Sequence, residues 1–187
     1  MRRRYFIKKV ILFSLSLVIL KTKIMANSLF KPFNLVNGIF VNNYVSHKSS
    51  FKDFWRWRRE SSRPEPIAFP VVENDPEYLK SNKSEKTITW IGHSTFLLQI
   101  NGINILTDPH FTKRASPLTF MGPSRTTPPG LKIEELPFID FVLISHNHYD
   151  HLDSKTIQLL LKKQNVNQPT FFVPLKLRNI LSKLGAR

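Results

Sequence analysis

The second half of the chain has the most regular alternation of apolar and polar residues. Thr87–Ile91, Thr95–Ile100 and Ile103–Thr107 are predicted strands, and Asn101-Gly102 between the last two is typical of a tight hairpin turn. Further on, the short apolar run Asp140–Ser145 (DFVLIS) predicts a buried strand. These patterns predict a hairpin followed by a more deeply buried strand.

Two later segments have the spacing of amphipathic helices. The first begins at Asp153 or Ser154 and runs through Lys163, with its large aliphatic residues on one face. Thr170–Val173 then predicts a strand, and Leu175–Leu184 predicts a second helix. A hairpin followed by strand, helix, strand and helix is typical of the α/β class. We therefore predict an α/β fold for residues 87–187.

The N-terminal residues are less regular and divide into a basic-apolar segment and a linker. Residues 1–26 combine a basic start with the apolar run Val10–Leu20, as in a signal-peptide core or a short membrane anchor. A spanning helix needs about 20 apolar residues, so this run alone is too short to cross a bilayer. We expect a membrane-associated segment that stays attached, and export by a cleaved signal peptide is the alternative. The polar, Asn-rich residues 27–50 predict a linker.

Residues 51–86 are predicted to be an aromatic and basic flank followed by an extended segment. Aromatic and basic side chains are interleaved in Phe51–Arg59 (FKDFWRWRR). One interpretation is a patch that binds a membrane surface or a nucleic acid. The other, which we favour, is a short amphipathic helix whose rings cover the domain while its arginines stay solvated.

Composition narrows the possible classes of function. A chain of 187 residues with 41% hydrophobic residues is long and apolar enough for one folded domain, which argues against disorder. There is no cysteine, which excludes disulfides, Cys-ligated zinc and thiol catalysis. Seven of the 28 basic residues lie within residues 1–25, which hold no acid, so the net charge of +15 falls to +8 without them. Nucleic acid and anionic lipid both remain compatible with this charge.

The densest group of chemically active residues is His146-Asn147-His148-Tyr149-Asp150-His151, directly after the predicted buried strand. Imidazole and carboxylate together suit Zn²⁺, and Fe or Mn is also possible. His146 and His148 share one face of an extended segment, whereas Asp150 and His151 turn towards a neighbouring position. This spacing suits two adjacent metal ions. A solvated polar loop or a cluster at the start of a helix is the alternative, and we favour the metal site.

The H-x-H-x-D-H motif resembles the metallo-β-lactamase superfamily of binuclear metallohydrolases. Other segments are similar to one branch of it, the N-acylphosphatidylethanolamine-hydrolysing phospholipases D. The similar segments are TWIGHS (89–94), LTDP (106–109), RASP (114–117), MGP (121–123), ELPFID (135–140), VLISHNHYDHLD (142–153) and FVPL (172–175). The resemblance covers about Phe54–Arg187 and leaves out residues 1–50.

The resemblance implies a fold and a set of metal ligands. The fold is the N-terminal half of a metallo-β-lactamase-type αβ/βα sandwich, so residues 87–187 form a partial domain. By resemblance, His146 and His148 bind the first metal, and Asp150 and His151 bind the second. Zinc is the expected metal, with two ions in a complete site. No residue is matched with certainty to a catalytic role.

The remaining candidates surround this set. By resemblance, Asp108 supports the metal loop from behind rather than binding metal, a role compatible with a turn residue before a proline. His93 matches a Gly-His pair that lines the site, and a structural hydrogen bond is the alternative. His110 and His47 match no role, and we interpret them as ordinary surface histidines.

The implied reaction is metal-assisted hydrolysis of a phosphodiester, with N-acylphosphatidylethanolamine in a phospholipid membrane as substrate. The family pattern needs later ligands, whereas His151 is the last histidine of the chain. We therefore expect a truncated member that is inactive alone, unless a second polypeptide or a homodimer completes the fold. Two alternatives are a nuclease of the same superfamily, with nucleic acid the less favoured partner, and a non-catalytic membrane-bound remnant. Whether the chain alone is an enzyme stays open.

Overall fold

The computed structural model describes residues 34–41, 50–61, 67, 70, 72–118 and 120–187. The chain divides into two compact units, Met1–Arg63 and Pro64–Arg187. The predicted apolar segment Val10–Leu20 lies outside the described residues. Within them, no helix has both the length and the apolar character that crossing a membrane requires.

A short hairpin is the first element of the N-terminal unit. Strands β1 (Leu35–Val36) and β2 (Ile39–Phe40) pair antiparallel around Asn37-Gly38. Both turn residues have positive φ, 48° and 79°, as a two-residue type I′ turn requires. The segment predicted to be a linker therefore contains a hairpin, and its sequence signal is the Asn-Gly dipeptide.

Helix α1 (Phe51–Glu60) follows in the same unit and confirms the predicted helix. Ser50 caps it, because the Ser50 side chain accepts from the Asp53 backbone N–H at 3.2 Å and the Asp53 carboxylate accepts from the Ser50 N–H at 2.9 Å. No residue of α1 is buried, and its aromatic side chains pack on one another along the helix, with Phe54 and Trp55 centroids 5.9 Å apart. That these rings cover the domain stays a prediction.

The C-terminal unit begins with helix α2 (Pro76–Ser81), where Asp75 is the N-cap and Pro76 occupies the first turn. Its Leu79 is only 4% exposed and belongs to the hydrophobic core. The buried Gln99 side chain donates to the Leu79 carbonyl at 2.7 Å. Residues 76–81 are thus part of the folded unit rather than of the extended segment predicted there.

A five-stranded mixed sheet forms the centre of this unit. Its strands are β3 (Thr87–Gly92), β4 (Thr95–Ile100), β5 (Ile103–Thr107), β6 (Phe141–Leu143) and β7 (Thr170–Phe172), in that spatial order. The pairs β3–β4 and β4–β5 are antiparallel, whereas β5–β6 and β6–β7 are parallel. The predicted bounds of β4 and β5 are confirmed, while β6 and β7 are shorter than predicted.

Two helices follow the parallel strands and cover the sheet. Helix α3 (Ser154–Lys163) connects β6 to β7, and helix α4 (Arg178–Lys183) follows β7. Asp153 caps α3, and Ile157 and Leu160 on its apolar face are fully buried. Apolar side chains from the sheet, α3 and the loop before β6 share one core. The α/β prediction is confirmed, with the sheet's parallel strands directing their carboxyl ends to one edge.

Candidate metal centre

Three turns meet at the carboxyl edge of the parallel strands. Asp108 directly follows β5, residues 145–151 follow β6, and His93 lies in the turn between β3 and β4. His93 has φ 51°, a left-handed conformation, beside Gly92 with φ 140°. The φ of 140° strains any residue with a Cβ at position 92, and a Cβ there would also meet the Arg125 guanidinium, so this turn favours glycine. Open α/β sheets place their ligand sites at this edge.

Asp108 is the buried centre of the hydrogen-bond network, with 8% of its surface exposed. Its Oδ1 accepts from the Ser145 backbone N–H at 2.7 Å. Its Oδ2 lies 2.7 Å from Ser145 Oγ and 2.9 Å from His151 Nδ1. The supporting contact expected of Asp108 is therefore present, and its influence on a bound metal stays a prediction.

The network sets the proton positions on two histidines. An ionised carboxylate only accepts hydrogen bonds, so His151 Nδ1 carries the proton and Nε2 keeps a lone pair. Ser145 Oγ uses its single hydrogen on Asp108. His146 Nδ1, 2.9 Å from that oxygen, must then be a donor as well. Both imidazoles thus keep the lone pair on Nε2, as a metal ligand must, and that of His146 accepts a hydrogen bond from His148 Nδ1.

The predicted first metal pair converges on one point. His146 Nε2 lies 2.9 Å from His148 Nδ1. Two nitrogens bound tetrahedrally to one zinc at 2.0–2.1 Å are about 3.3 Å apart, so a small movement would let both bind one ion. The His146 and His151 ring centroids are 4.0 Å apart, which puts the two predicted metal positions side by side.

The predicted second metal position includes His93, which was predicted only to line the site. Asp150 Oδ2 lies 3.0 Å from His93 Nε2 and 3.7 Å from His151 Nε2. One ligand atom from each of these three residues falls within 4.8 Å of the others. Two imidazoles and one carboxylate form a donor set found in catalytic zinc sites, so the residues present fit a divalent cation. The left-handed turn that brings His93 here has no signal in the sequence beyond the Gly-His pair.

The Asp150 carboxylate is held in the form that binds cations. Partial burial acts to raise its pKa, but a backbone hydrogen bond and the neighbouring His151 and His93 lower it by more. The net effect is an Asp150 pKa below the ordinary value. A second nearby acid, Asp153, is instead committed to the fold, because its Oδ2 accepts from Thr112 Oγ1 and Thr156 Oγ1, each at 2.7 Å.

The prediction that His110 is a surface histidine is wrong. Its side chain is 4% exposed, and neither ring nitrogen has a hydrogen-bond partner. The backbone explains the burial, because the His110 N–H donates to Thr95 Oγ1 at 3.1 Å and its carbonyl accepts from Arg125. Burial first, and then the Arg125 charge, lowers the pKa of His110, so the ring is neutral. His47 lies outside the described residues.

His110 lines a cleft of about 520 Å³ that opens beside the candidate ligands. His93 and Asp150 are among the residues that line this cleft. Its other walls are largely apolar and include Val72, Trp90 and proline rings. The site therefore combines a polar corner that suits cations with an adjoining apolar space.

Comparisons with known proteins identify relatives of this region. A family model described as a beta-lactamase superfamily domain matches residues 87–178. An uncharacterized protein of Mycobacterium tuberculosis is 42% identical over 118 residues, which is 63% of this chain and 30% of that protein. An N-acyl-phosphatidylethanolamine-hydrolyzing phospholipase D of Caenorhabditis elegans is 43% identical over 98 residues, 52% of this chain and 27% of that protein.

A third relative is described by its dependence on metal. A metal-dependent hydrolase of Anaeromyxobacter is 34% identical over 74 residues, 39% of this chain and 23% of that protein. The matches thus span less than a third of the length of each of these three relatives. Relatives of this kind imply a metal cofactor, in agreement with the donor set at the sheet edge.

Proposed function

This chain belongs to the metallo-β-lactamase superfamily, on the branch that includes the N-acylphosphatidylethanolamine-hydrolysing phospholipases D, and we therefore propose that it takes part in zinc-dependent hydrolysis of N-acylphosphatidylethanolamine. The observation that carries the proposal is the network from Asp108 through Ser145, which leaves the lone pairs of His146 and His151 on Nε2, at neighbouring positions. Iron or manganese would find the same nitrogen and oxygen donors.

Each residue of the site has a defined task in this proposal. His146 and His148 hold one cation, and Asp150 and His151, joined by His93, hold the other. When bound, the two cations lower the pKa of a water molecule and stabilise negative charge on phosphate oxygens. Asp108 keeps His151 in the tautomer that leaves Nε2 available, and the apolar cleft takes the organic part of the substrate away from water.

The proposed activity of the 187-residue chain alone is low. Among the described residues, the first metal position has two ligands, His146 and His148, whereas a catalytic zinc usually has three from the protein. Ligands from a second polypeptide or a second copy would complete it. Under this proposal the chain turns over substrate slowly until those ligands are supplied.

Release of N-acylethanolamine from N-acylphosphatidylethanolamine in mixed micelles tests the proposed reaction. We expect zinc-dependent release well below the roughly 10 s⁻¹ typical of enzymes. EDTA or the substitution His148→Ala should abolish it, whereas Asn147→Ala in the same loop should not. Release that persists in EDTA would contradict the proposal.

Two other outcomes would favour the alternative functions. Zinc-dependent cleavage of DNA or RNA without lipid hydrolysis would favour the nuclease. The absence of both activities in the zinc-loaded chain would favour the non-catalytic remnant.

We also propose that the protein is membrane-associated and that α1 takes part in the contact. Its exposed rings include Phe51, at 74%, and Trp57, at 61%, and Arg58 and Arg59 lie in its last turn. Exposed rings beside cations suit an interface where the rings enter the lipid and the cations meet anionic headgroups. Each basic side chain near such a surface contributes about 1 kcal/mol to the attraction.

Tryptophan quenching by brominated lipid tests this contact without depending on residues 1–26. The chain has three tryptophans, Trp55 and Trp57 on α1 and Trp90 in the cleft. With vesicles of brominated phosphatidylcholine and phosphatidylserine, we expect strong quenching in the wild type and in Trp90→Phe. Quenching should fall to near zero in Trp55→Phe/Trp57→Phe. If α1 tryptophans in vesicle-bound protein are not quenched, the helix does not enter the lipid.

A further inference from the structure

The cleft contains a positive charge without a counter-charge. Arg125 is the only lysine or arginine among the described residues that line it. Within the described part of the chain, no carboxylate oxygen lies within 4.0 Å of its guanidinium. Asp150, the one acid among those lining residues, contacts His93 and His151 instead. Burial lowers the pKa of Arg125, an effect that the Asp153 charge opposes, and a guanidinium stays charged at neutral pH.

The guanidinium is held in place by backbone carbonyls and keeps donors for a ligand. Its Nε donates to the Thr127 carbonyl at 3.3 Å, and its Nη1 donates to the His110 carbonyl. Nη2 has two further N–H groups, which have no partner among the described residues. The only buried side-chain atoms without a partner in that part of the chain are the ring nitrogens of His110, so Arg125 Nη2 is accessible. A fixed guanidinium with unused N–H groups is suited to bind an oxyanion.

This guanidinium lies beside the second metal position. It packs against the backbone of Gly92, since a Cβ added there would meet Nη2. Gly92 directly precedes His93, whose Nε2 contacts Asp150 at 3.0 Å, and all of these residues line the cleft. A phosphodiester has two nonbridging oxygens, so one can face the metal ligands while the other faces Arg125.

We propose that Arg125 binds a nonbridging phosphate oxygen of the substrate, and so selects anionic phosphodiesters over neutral esters. That the anion is a phosphodiester rests on the function proposed above. That the cleft takes an anion rests on the charge of Arg125, because a partly buried charge is costly unless it is compensated. Arg125 is thus a specificity-determining residue, separate from the metal ligands.

Chemical modification of arginines in the full chain tests this assignment without any substitution. Phenylglyoxal modifies accessible arginines, and mass spectrometry of peptides gives the rate at each one. The probes are diethyl phosphate, a monoanion, and diethyl methylphosphonate, in which a methyl group replaces the charged oxygen. EDTA removes metal, and added sodium chloride keeps the ionic strength constant. Arg114 is the internal control, because it donates to the Gly122 carbonyl at 2.6 Å and is not among the cleft residues.

We expect diethyl phosphate to protect Arg125 and to leave Arg114 unprotected. At about ten times its Kd it should slow the modification of Arg125 about tenfold, because only the ligand-free fraction reacts. The neutral phosphonate should need a concentration at least tenfold higher, which corresponds to about 1.4 kcal/mol for the lost charge-assisted hydrogen bond.

Saturation-transfer NMR with the same two ligands gives their relative affinity for substituted chains. In Arg125→Gln the preference for the anion should fall to about one, and Arg125→Lys, which keeps the charge, should retain part of it. Arg114→Gln is the matched control and should keep the wild-type preference. Circular dichroism establishes that each variant is folded. If Arg125→Gln does not fold, the protection measured on the wild type decides the question.

The outcomes separate this inference from the proposed function. An Arg125 that phenylglyoxal does not modify, equal protection by the two probes, or no protection by either overturns the role of Arg125 and leaves the metal site untouched. An unchanged preference in folded Arg125→Gln overturns it as well. A preference for the anion that depends on Arg125, in a chain without zinc-dependent hydrolysis, supports the inference and places the failure in the proposed reaction.

Discussion

Substitution of Asp108 by Asn is expected to lower zinc affinity by roughly 10–100-fold while the protein stays folded. The reason is the tautomer of His151. The carboxylate accepts from His151 Nδ1 at 2.9 Å and from Ser145 Oγ at 2.7 Å. In the variant, Oδ1 still accepts the Ser145 backbone N–H, so the amide nitrogen takes the place of Oδ2. It then donates to His151 Nδ1, which moves the ring proton to Nε2, where it blocks the metal.

The size of this effect distinguishes a role in the metal site from a role in the fold. A neutral hydrogen bond in place of a charged one costs about 1 kcal/mol of unfolding free energy. Asp140→Asn is the matched control, because Asp140 Oδ2 accepts from the Asn104 N–H at 2.8 Å, at the opposite end of β5. Thermal unfolding and competitive zinc titration should show similar stability losses, with weakened zinc binding only in Asp108→Asn. Equal zinc affinity in both variants would contradict the tautomer argument.

Removal of the His151 side chain is expected to have a still larger effect on metal binding. His151 lies between two carboxylates of the site, because its Nδ1 contacts Asp108 and its Nε2 faces Asp150. Zinc sites with four protein ligands have a binding free energy of about 10–16 kcal/mol. One ligand contributes roughly a quarter of this, so its loss lowers the zinc affinity by roughly 100–1000-fold. The substitution His151→Ala also leaves a buried carboxylate oxygen of Asp108 without one of its partners.

A competition assay with a chromophoric chelator measures the His151→Ala effect. Asn147→Ala is the control within the same loop, because residue 147 is exposed and has no metal-binding nitrogen or carboxylate. We expect the control to match the wild type. If the two variants bind zinc equally well, the metal lies elsewhere and the assignment of residues 146–151 is wrong.

The elements that could be predicted from the sequence are those with local signals. The Asn101-Gly102 turn fixed the hairpin of β4 and β5, since both residues take the positive φ of a type I′ turn, 51° and 78°. Asp153 likewise signalled the start of α3, because its carboxylate accepts from the backbone N–H groups of Lys155 and Thr156.

Contacts between residues distant in sequence could not be predicted in this way. Gln99 lies on a strand where alternation predicts an apolar inward residue, yet it is buried and bonds to Leu79, Asn82 and Asn104. This polar group inside the core is stable because its partners come from elements that the sequence order separates. The alternation of apolar and polar residues along the chain does not show which distant residues will pair.

In the candidate site, too, local sequence signals could be predicted and contacts between distant residues could not. The density of histidines in residues 146–151 marked the loop, and the resemblance pointed to Asp108. The contact of His93 with Asp150 depends on a left-handed turn after Gly92, and the burial of His110 depends on Arg125 binding its carbonyl. Both are products of the three-dimensional path of the chain. For that reason His93 was assigned a lining role and His110 a surface position.

Zinc bound per chain tests the central claim most directly, which is that the loop after β6 forms a metal site in this protein. The full chain is equilibrated with zinc, dialysed and analysed for metal, beside His151→Ala. We expect near-stoichiometric zinc in the wild type and a clear loss in the variant, because His151 supplies one of the three donor atoms that come together at the second position. Wild-type protein that is folded yet retains no zinc, or a variant that retains as much as the wild type, would contradict it.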